Sequence, residues 1–182
     1  MPALLVAVVI LAAVLLLPGF LQRRRGGVAD ASPVSFGGSN LTQGTDWRIR
    51  TIPRIAEKII TWSTVAGIDE RLTAAVIMTE SSFREEAENP SDPSYGLMQV
   101  TPLIARAFGG WQDSEGHQAI KDLDTNLQAG TGFLRHLLTR YGNLESAVEA
   151  YNLGETKFDR GLRSPDYRDR VLGFYREFGG NG

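Results

Sequence analysis

The chain has 182 residues, with 19 lysines and arginines against 21 aspartates and glutamates, two histidines and no cysteine. That length suits one globular domain with room for an accessory segment, and the absence of cysteine excludes a disulfide scaffold, thiolate chemistry and cysteine-ligated zinc. Three of the 19 basic residues are Arg23, Arg24 and Arg25, which leaves 16 basic against 21 acidic side chains elsewhere, a balance unsuited to gripping nucleic-acid phosphates.

Residues 3–17 read ALLVAVVILAAVLLL, and Pro18 to Leu21 carry the uncharged run to the edge of Gln22 and the three arginines. About 20 residues rising roughly 1.5 Å each give about 30 Å, the thickness of a bilayer's hydrocarbon core. No positive side chain precedes the run, as it would in a secretory signal peptide, so the expectation is an uncleaved transmembrane anchor over residues 1–25, basic flank included. The excess of arginine places that flank on the cytoplasmic side of a membrane. Residues 26–45, rich in Gly, Ser, Ala and Pro, read as a flexible linker, and a folded domain is expected over 46–182.

From Asp46 onward the pattern is helical. Pro53 suits a first turn; Ile55, Ile59, Ile60 and Trp62 follow at helical spacing, and Gly67 ends the element. Asp69 is placed to cap a helix from Glu70 to about Ser81. A helix over 125–141 gathers Leu127, Leu134, Leu137, Leu138 and Tyr141 on one side and stops at Gly142. Two more are expected over Leu144–Tyr151 and Tyr167–Phe178. No alternating strand is evident beyond a short extended piece near 94–101. The expected fold class is all-α, with a small β excursion at most.

Within the second helix every residue from Leu72 to Met78 except Thr73 is apolar, and Glu80 follows at its C-terminal end. Desolvation and the negative pole of the helix both disfavour its carboxylate. A carboxyl kept protonated near neutral pH is what a general acid requires. Glu85, Glu86 and Glu88 read as a solvated loop. The stretch Ser94-Tyr95-Gly96-Leu97-Met98-Gln99-Val100-Thr101-Pro102 then combines a glycine, an amide and apolar side chains without charge. Neutral donors and acceptors of that kind suit sugar hydroxyls and N-acetyl groups.

Three motifs stand in order: Glu80-Ser81-Ser82-Phe83, Gly96-Leu97-Met98-Gln99 and Ala150-Tyr151-Asn152-Leu153-Gly154. Together they resemble the catalytic domain of soluble-type lytic transglycosylases, related to goose-type lysozyme, over about residues 50–178. The resemblance implies a compact, multi-helix lysozyme-like fold and cleavage of the β-1,4 bond between N-acetylmuramic acid and N-acetylglucosamine in peptidoglycan glycan strands. It assigns Glu80 as the single catalytic acid and base, with no metal and no cofactor. Gln99 and the backbone around Met98 would line the sugar cleft, with Ser82 and Thr101 as neighbouring substrate contacts. Tyr151 and Asn152 would flank Glu80 from a facing helix, and Tyr167 matches a family tyrosine near the cleft. Most glycosidases use two carboxylates, whereas the motifs here supply one, which points to formation of a 1,6-anhydro ring without water. A hydrolytic muramidase and a non-catalytic peptidoglycan binder are the alternatives.

The chain departs from the family at three places, one of them a short segment after Asn152 that would leave the cleft more open on that side. Thr101 stands where goose-type lysozymes carry a carboxylate, and the Glu-Thr that many transglycosylases place before the last-helix tyrosine is replaced by Arg163-Ser164-Pro165-Asp166, with Asp166 as a candidate substitute. The topology also conflicts with the chemistry, because peptidoglycan lies outside the cytoplasmic membrane while Arg23–Arg25 favour keeping the domain inside. The conflict resolves if the charge rule is overridden and the domain is exported behind its uncleaved anchor, or if the protein belongs, with virion or secretion-machine partners, to a bacteriophage particle with an internal membrane or to an envelope-crossing machine, where a local wall-opening enzyme is useful. Membrane contact through residues 3–21 and no nucleic-acid partner complete the expectation.

Overall fold

A computed structural model describes residues 53–181. The expected anchor over 1–25 and the linker over 26–45 lie outside the described residues; among those described, no helix is long and apolar enough to cross a membrane.

The elements in chain order are α1 (Pro53–Ala66), α2 (Glu70–Glu80), β1 (Glu88–Asn89), β2 (Ser94–Tyr95), α3 (Pro102–Phe108), α4 (Leu123–Tyr141), α5 (Leu144–Leu153), α6 (Glu155–Asp159) and α7 (Pro165–Glu177), with two 3-10 turns at Asp113–Glu115 and His117–Lys121. The all-α class holds, with a minimal β excursion. In it Glu88 pairs with Tyr95 and Asn89 with Ser94, and Tyr95 bridges on to Val100.

Local chemistry sets the helix ends. Asp69 caps α2 by accepting from the Arg71 N–H, and Gly142 closes α4 with φ +69°, a conformation a Cβ disfavours. Three boundaries differ from the sequence pattern. Helix α4 starts at Leu123 because Asp122 accepts from the backbone of Asp124 and Thr125, and α7 starts two residues before Tyr167 because Pro165 fits the first turn. Helix α5 runs on to Leu153, where Gly154 ends it at φ +76°. Helices α3 and α6 and the 3-10 turns had no periodic signal, being too short to show one.

Helix α2 is the centre of the molecule. Leu72 to Met78 are all buried, and the one polar member, Thr73, receives a hydrogen bond from the Ser63 hydroxyl at 2.8 Å. Helix α2 packs against α1 and α7, while α4 packs against α1, α3 and α5. The core therefore surrounds α2 until its last turn, and Glu80 emerges where α7 and the β2–α3 connection converge.

Candidate active site

Helix α2 ends at Glu80, and the chain turns sharply through two residues with positive φ, Ser82 at 52° and Phe83 at 61°. Left-handed backbone costs a side-chain-bearing residue roughly 1–2 kcal/mol. Here the cost is offset by the Phe83 ring, which is buried in the core. The third such residue among those described, Gln99 at φ 46°, faces the same cavity as Glu80. Two of the three strained positions thus lie in the turn directly after Glu80 and the third lines its cavity.

The Gly96–Gln99 turn is closed by Tyr95 N–H to Val100 carbonyl (3.0 Å) and its reverse (2.9 Å). The buried amide of Asn126, on α4, fastens it from below. Its Oδ1 accepts from the Met98 N–H (2.9 Å), and its Nδ2 donates to the carbonyls of Tyr95 (2.7 Å) and Ile120 (3.0 Å). Gly96 is required twice over, by φ +72° and because a Cβ there would collide with the Asn126 amide. The Met98 side chain packs against Gly130, where a Cβ would likewise collide with it.

Glu80 faces a cavity of about 380 Å³ lined also by Arg84, Glu86, Ala87, Glu88 and Gln99. Part of its surface is open to that cavity, yet protein crowds the carboxyl on most sides. Burial raises its pKa from the usual 4.5 to about 7, against the opposing pull of a hydrogen bond from Tyr167 and the positive charge of Arg170. The Tyr167 hydroxyl donates to Glu80 Oε1 at 2.6 Å. Tyr167 keeps its own proton, since burial and the neighbouring carboxyl push its pKa well above the ordinary range. A carboxyl poised near neutrality can give a proton and later take one back.

The other expected residues fall into two groups. Gln99 lines the cavity with Glu80, its side chain steadied by the Ser94 hydroxyl (3.0 Å) and the Gly96 carbonyl (3.0 Å). Tyr151 sends its hydroxyl to the Met98 carbonyl at 2.9 Å, and Glu80's charge reaches it. Met98 itself is fully buried, and its N–H and carbonyl both have protein partners, so it builds the wall from behind. Ser82 is exposed, with its hydroxyl turned back toward the Met78 carbonyl (3.5 Å). Thr101 caps α3 by accepting from Ile104 N–H. Asn152 accepts from the Ser164 hydroxyl at 2.8 Å, which ties α5 to the start of α7.

Asp166 is exposed. The carboxylate that secures the start of α7 is instead Glu149 of α5, only 4% exposed. Its oxygens accept from the Ser164 N–H (3.0 Å) and from Arg168 (2.8 Å). Sequence reasoning missed Glu149, Arg170, Asn126 and Arg84. A lone glutamate on the apolar stretch Ala147–Tyr151 was the available signal for the first, and Arg170, one helical turn after Tyr167 with its guanidinium 6.0 Å from that ring, was legible by i, i+3 spacing. The acidic loop is exposed at Glu86 and Glu88, as expected, and it also borders the site. Glu86 and Glu88 line the cavity and face Lys121 at 3.7 and 3.0 Å. Among the described residues no group of three or more His, Asp or Glu is arranged to hold a metal ion.

If Tyr167 acts on Glu80 as the geometry implies, Tyr167→Phe leaves burial less opposed and raises the Glu80 pKa. The alkaline limb of the pH–rate profile should move to higher pH, with turnover down about tenfold for the lost charge-assisted bond. An unmoved limb would separate Tyr167 from the chemistry.

Residues 57–170, more than half of the chain, match the family described as the transglycosylase SLT domain. The chain belongs to that family. The SLT domain is 31% identical over 121 residues to the transglycosylase of Enterobacteria phage PRD1, covering 61% of this chain and 41% of that protein. It is 35% identical over 121 residues to membrane-bound lytic murein transglycosylase C of Pectobacterium atrosepticum, covering 59% of this chain and 32% of that one. The chain thus spans less than half the length of either relative. Among solved structures, the lytic transglycosylase Slt of Pseudomonas aeruginosa, an inactive mutant, superposes with a TM-score of 0.59 at 20% identity, over 68% of this chain and 23% of that chain. At that identity the likeness establishes the fold.

Proposed function

We propose that this SLT domain is a peptidoglycan lytic transglycosylase that cleaves the β-1,4 bond between N-acetylmuramic acid and N-acetylglucosamine and leaves a 1,6-anhydromuramic acid end. The observation that carries the reading is Glu80, a carboxyl with a pKa of about 7 at the edge of a cavity of about 380 Å³. The relatives named transglycosylase and lytic murein transglycosylase support it.

Protonated Glu80 donates to the glycosidic oxygen, and the C1–O bond breaks as the N-acetyl oxygen of the muramic sugar shares the positive charge at C1. Glu80, now ionised, removes the proton from the 6-hydroxyl, and O6 closes on C1 while the N-acetyl oxygen withdraws. Glu80 ends protonated, no water is consumed and no cofactor enters. Gln99 offers an amide to the sugar edge, and Tyr167 steadies the carboxylate between the two steps. Ser82, Met98, Thr101, Tyr151 and Asn152 belong to this proposal as residues that shape or border the cleft.

Glu86 and Glu88 favour one rival chemistry, because a second carboxylate on the cavity wall could activate water and give a hydrolysed product. Digestion of purified peptidoglycan by the full chain, with the released muropeptides weighed, separates the two. Products one water lighter than those of a muramidase control are expected. Products of hydrolysed mass would make the protein a lysozyme, and no release would favour a binding role.

The wider setting is part of the same proposal. Residues 1–25 anchor the protein in a membrane, residues 26–45 link the anchor to the domain at 46–182, and the domain opens the wall locally, in a phage particle with an internal membrane or in an envelope-crossing machine. One relative comes from a phage and another is named membrane-bound, which supports both halves of that picture.

A further inference from the structure

We propose that Arg84 forms an anion subsite beside Glu80 that takes a carboxylate of the peptide carried on muramic acid, so that the domain favours peptide-bearing over bare glycan. The inference rests on the peptidoglycan reading above and adds to it what the protein selects.

The glycan backbone is neutral, a run of hydroxyls and N-acetyl groups, so a cation in its cleft has no charged partner there. The anionic groups of peptidoglycan sit on the peptide, which joins the muramic sugar through the lactyl ether at its O3. That is the ring whose C1 reacts, so the peptide leaves the glycan within one sugar of the scissile bond.

Arg84 is four residues beyond Glu80 and lines the same cavity. Its Nε donates to the Ser81 carbonyl at 3.0 Å, which fixes the plane of the guanidinium and leaves its outer edge for a ligand. The acidic side chains that follow it pair with other cations, although Glu86 and Glu88 also border this cavity. Glu85 pairs with Arg54, while Glu86 and Glu88 face Lys121 at 3.7 and 3.0 Å. Among the described residues no carboxylate lies within ion-pair distance of Arg84. Of the three acids within four residues of this arginine, one pairs with Arg54 and two share Lys121, which leaves the planar fork of Arg84 without an ion-pair partner at the cleft. A planar fork matches a carboxylate in two parallel hydrogen bonds.

The test compares the full chain, kept in solution with mild detergent, with its Arg84→Gln and Arg84→Lys variants. One pair of substrates is peptide-bearing glycan and the same glycan stripped by an amidase, with the lactyl carboxylates this frees capped as methylamides; one pair of ligands is the disaccharide-peptide and the disaccharide capped in the same way. Arg84 is exposed and its pair screened, so the expected preference for the peptide-bearing member is about five- to tenfold in kcat/KM and in Kd. Arg84→Gln should remove most of that ratio and Arg84→Lys should restore part of it. An equal loss on both members, or an unmodified protein without any preference, overturns the proposal. Absence of turnover with either glycan would overturn the catalytic reading alone and leave the binding comparison to decide this one.

Discussion

Glu80→Gln should lower turnover by roughly three orders of magnitude, since acid and base catalysis are each worth about 10²–10⁴ and one side chain performs both. The same substitution should make the folded protein more stable at alkaline pH. In the folded state Glu80 holds its proton up to a pH of about 7, whereas the exposed side chain releases it near 4.5. Between those values the native state binds the extra proton, so stability is full below pH 4.5 and falls as pH rises through 7. The gap corresponds to about 3 kcal/mol at most, less whatever the open side of the cavity screens. Glutamine never ionises and still accepts from Tyr167. Relative to the unmodified protein, Glu80→Gln should therefore melt at a similar temperature at pH 4 and on the order of 5 °C higher at pH 8. Thermal unfolding at the two pH values checks the electrostatics independently of any substrate. Equal melting temperatures at pH 8 would mean that Glu80 is not destabilised by burial, and the poised-carboxyl account would fall with it.

That carboxyl was legible in the sequence because its cause is local. An apolar run ending in a glutamate states both the burial of α2 and the place where burial stops. Gln99 was marked by the uncharged stretch around its amide, but Tyr167 was legible only through the family resemblance, since nothing in the spacing says that α7 returns to α2 across 87 residues of chain. The supports behind them were not legible at all. Asn126 stands in Asp-Thr-Asn at the start of α4, where short polar side chains ordinarily cap or face water, and its partners lie 28 and 31 residues away. Glu149 shows the same limit. A carboxylate was expected just before Tyr167, with Asp166 as its candidate, but the fold supplies one from α5 because the start of α7 packs there.

Asn126→Ala should be among the most destabilising single substitutions in the molecule. It leaves the Met98 N–H and the carbonyls of Tyr95 and Ile120 without partners at a fully buried position. An unsatisfied buried polar group costs about 1–3 kcal/mol, and water entering the vacated space recovers part of it, so a loss of roughly 3–5 kcal/mol is expected. Asn126→Asp should fare no better near neutral pH, because a carboxylate can accept from Met98 but cannot donate to two carbonyls. Where the variant remains folded, turnover should also fall, since Gln99 reaches the cavity only through the turn that Asn126 fastens. Gly96 separates the two contributions. Gly96→Ala alone suffers both the positive φ and the collision with the Asn126 amide, whereas in the Asn126→Ala background the collision is gone and only the backbone strain of about 1–2 kcal/mol remains. The two substitutions together should therefore destabilise by clearly less than the sum of their separate effects. Chemical denaturation of the four proteins measures that coupling. Strict additivity would show that the amide does not set the approach of the turn, and the glycine of the second motif would then be needed for its φ alone.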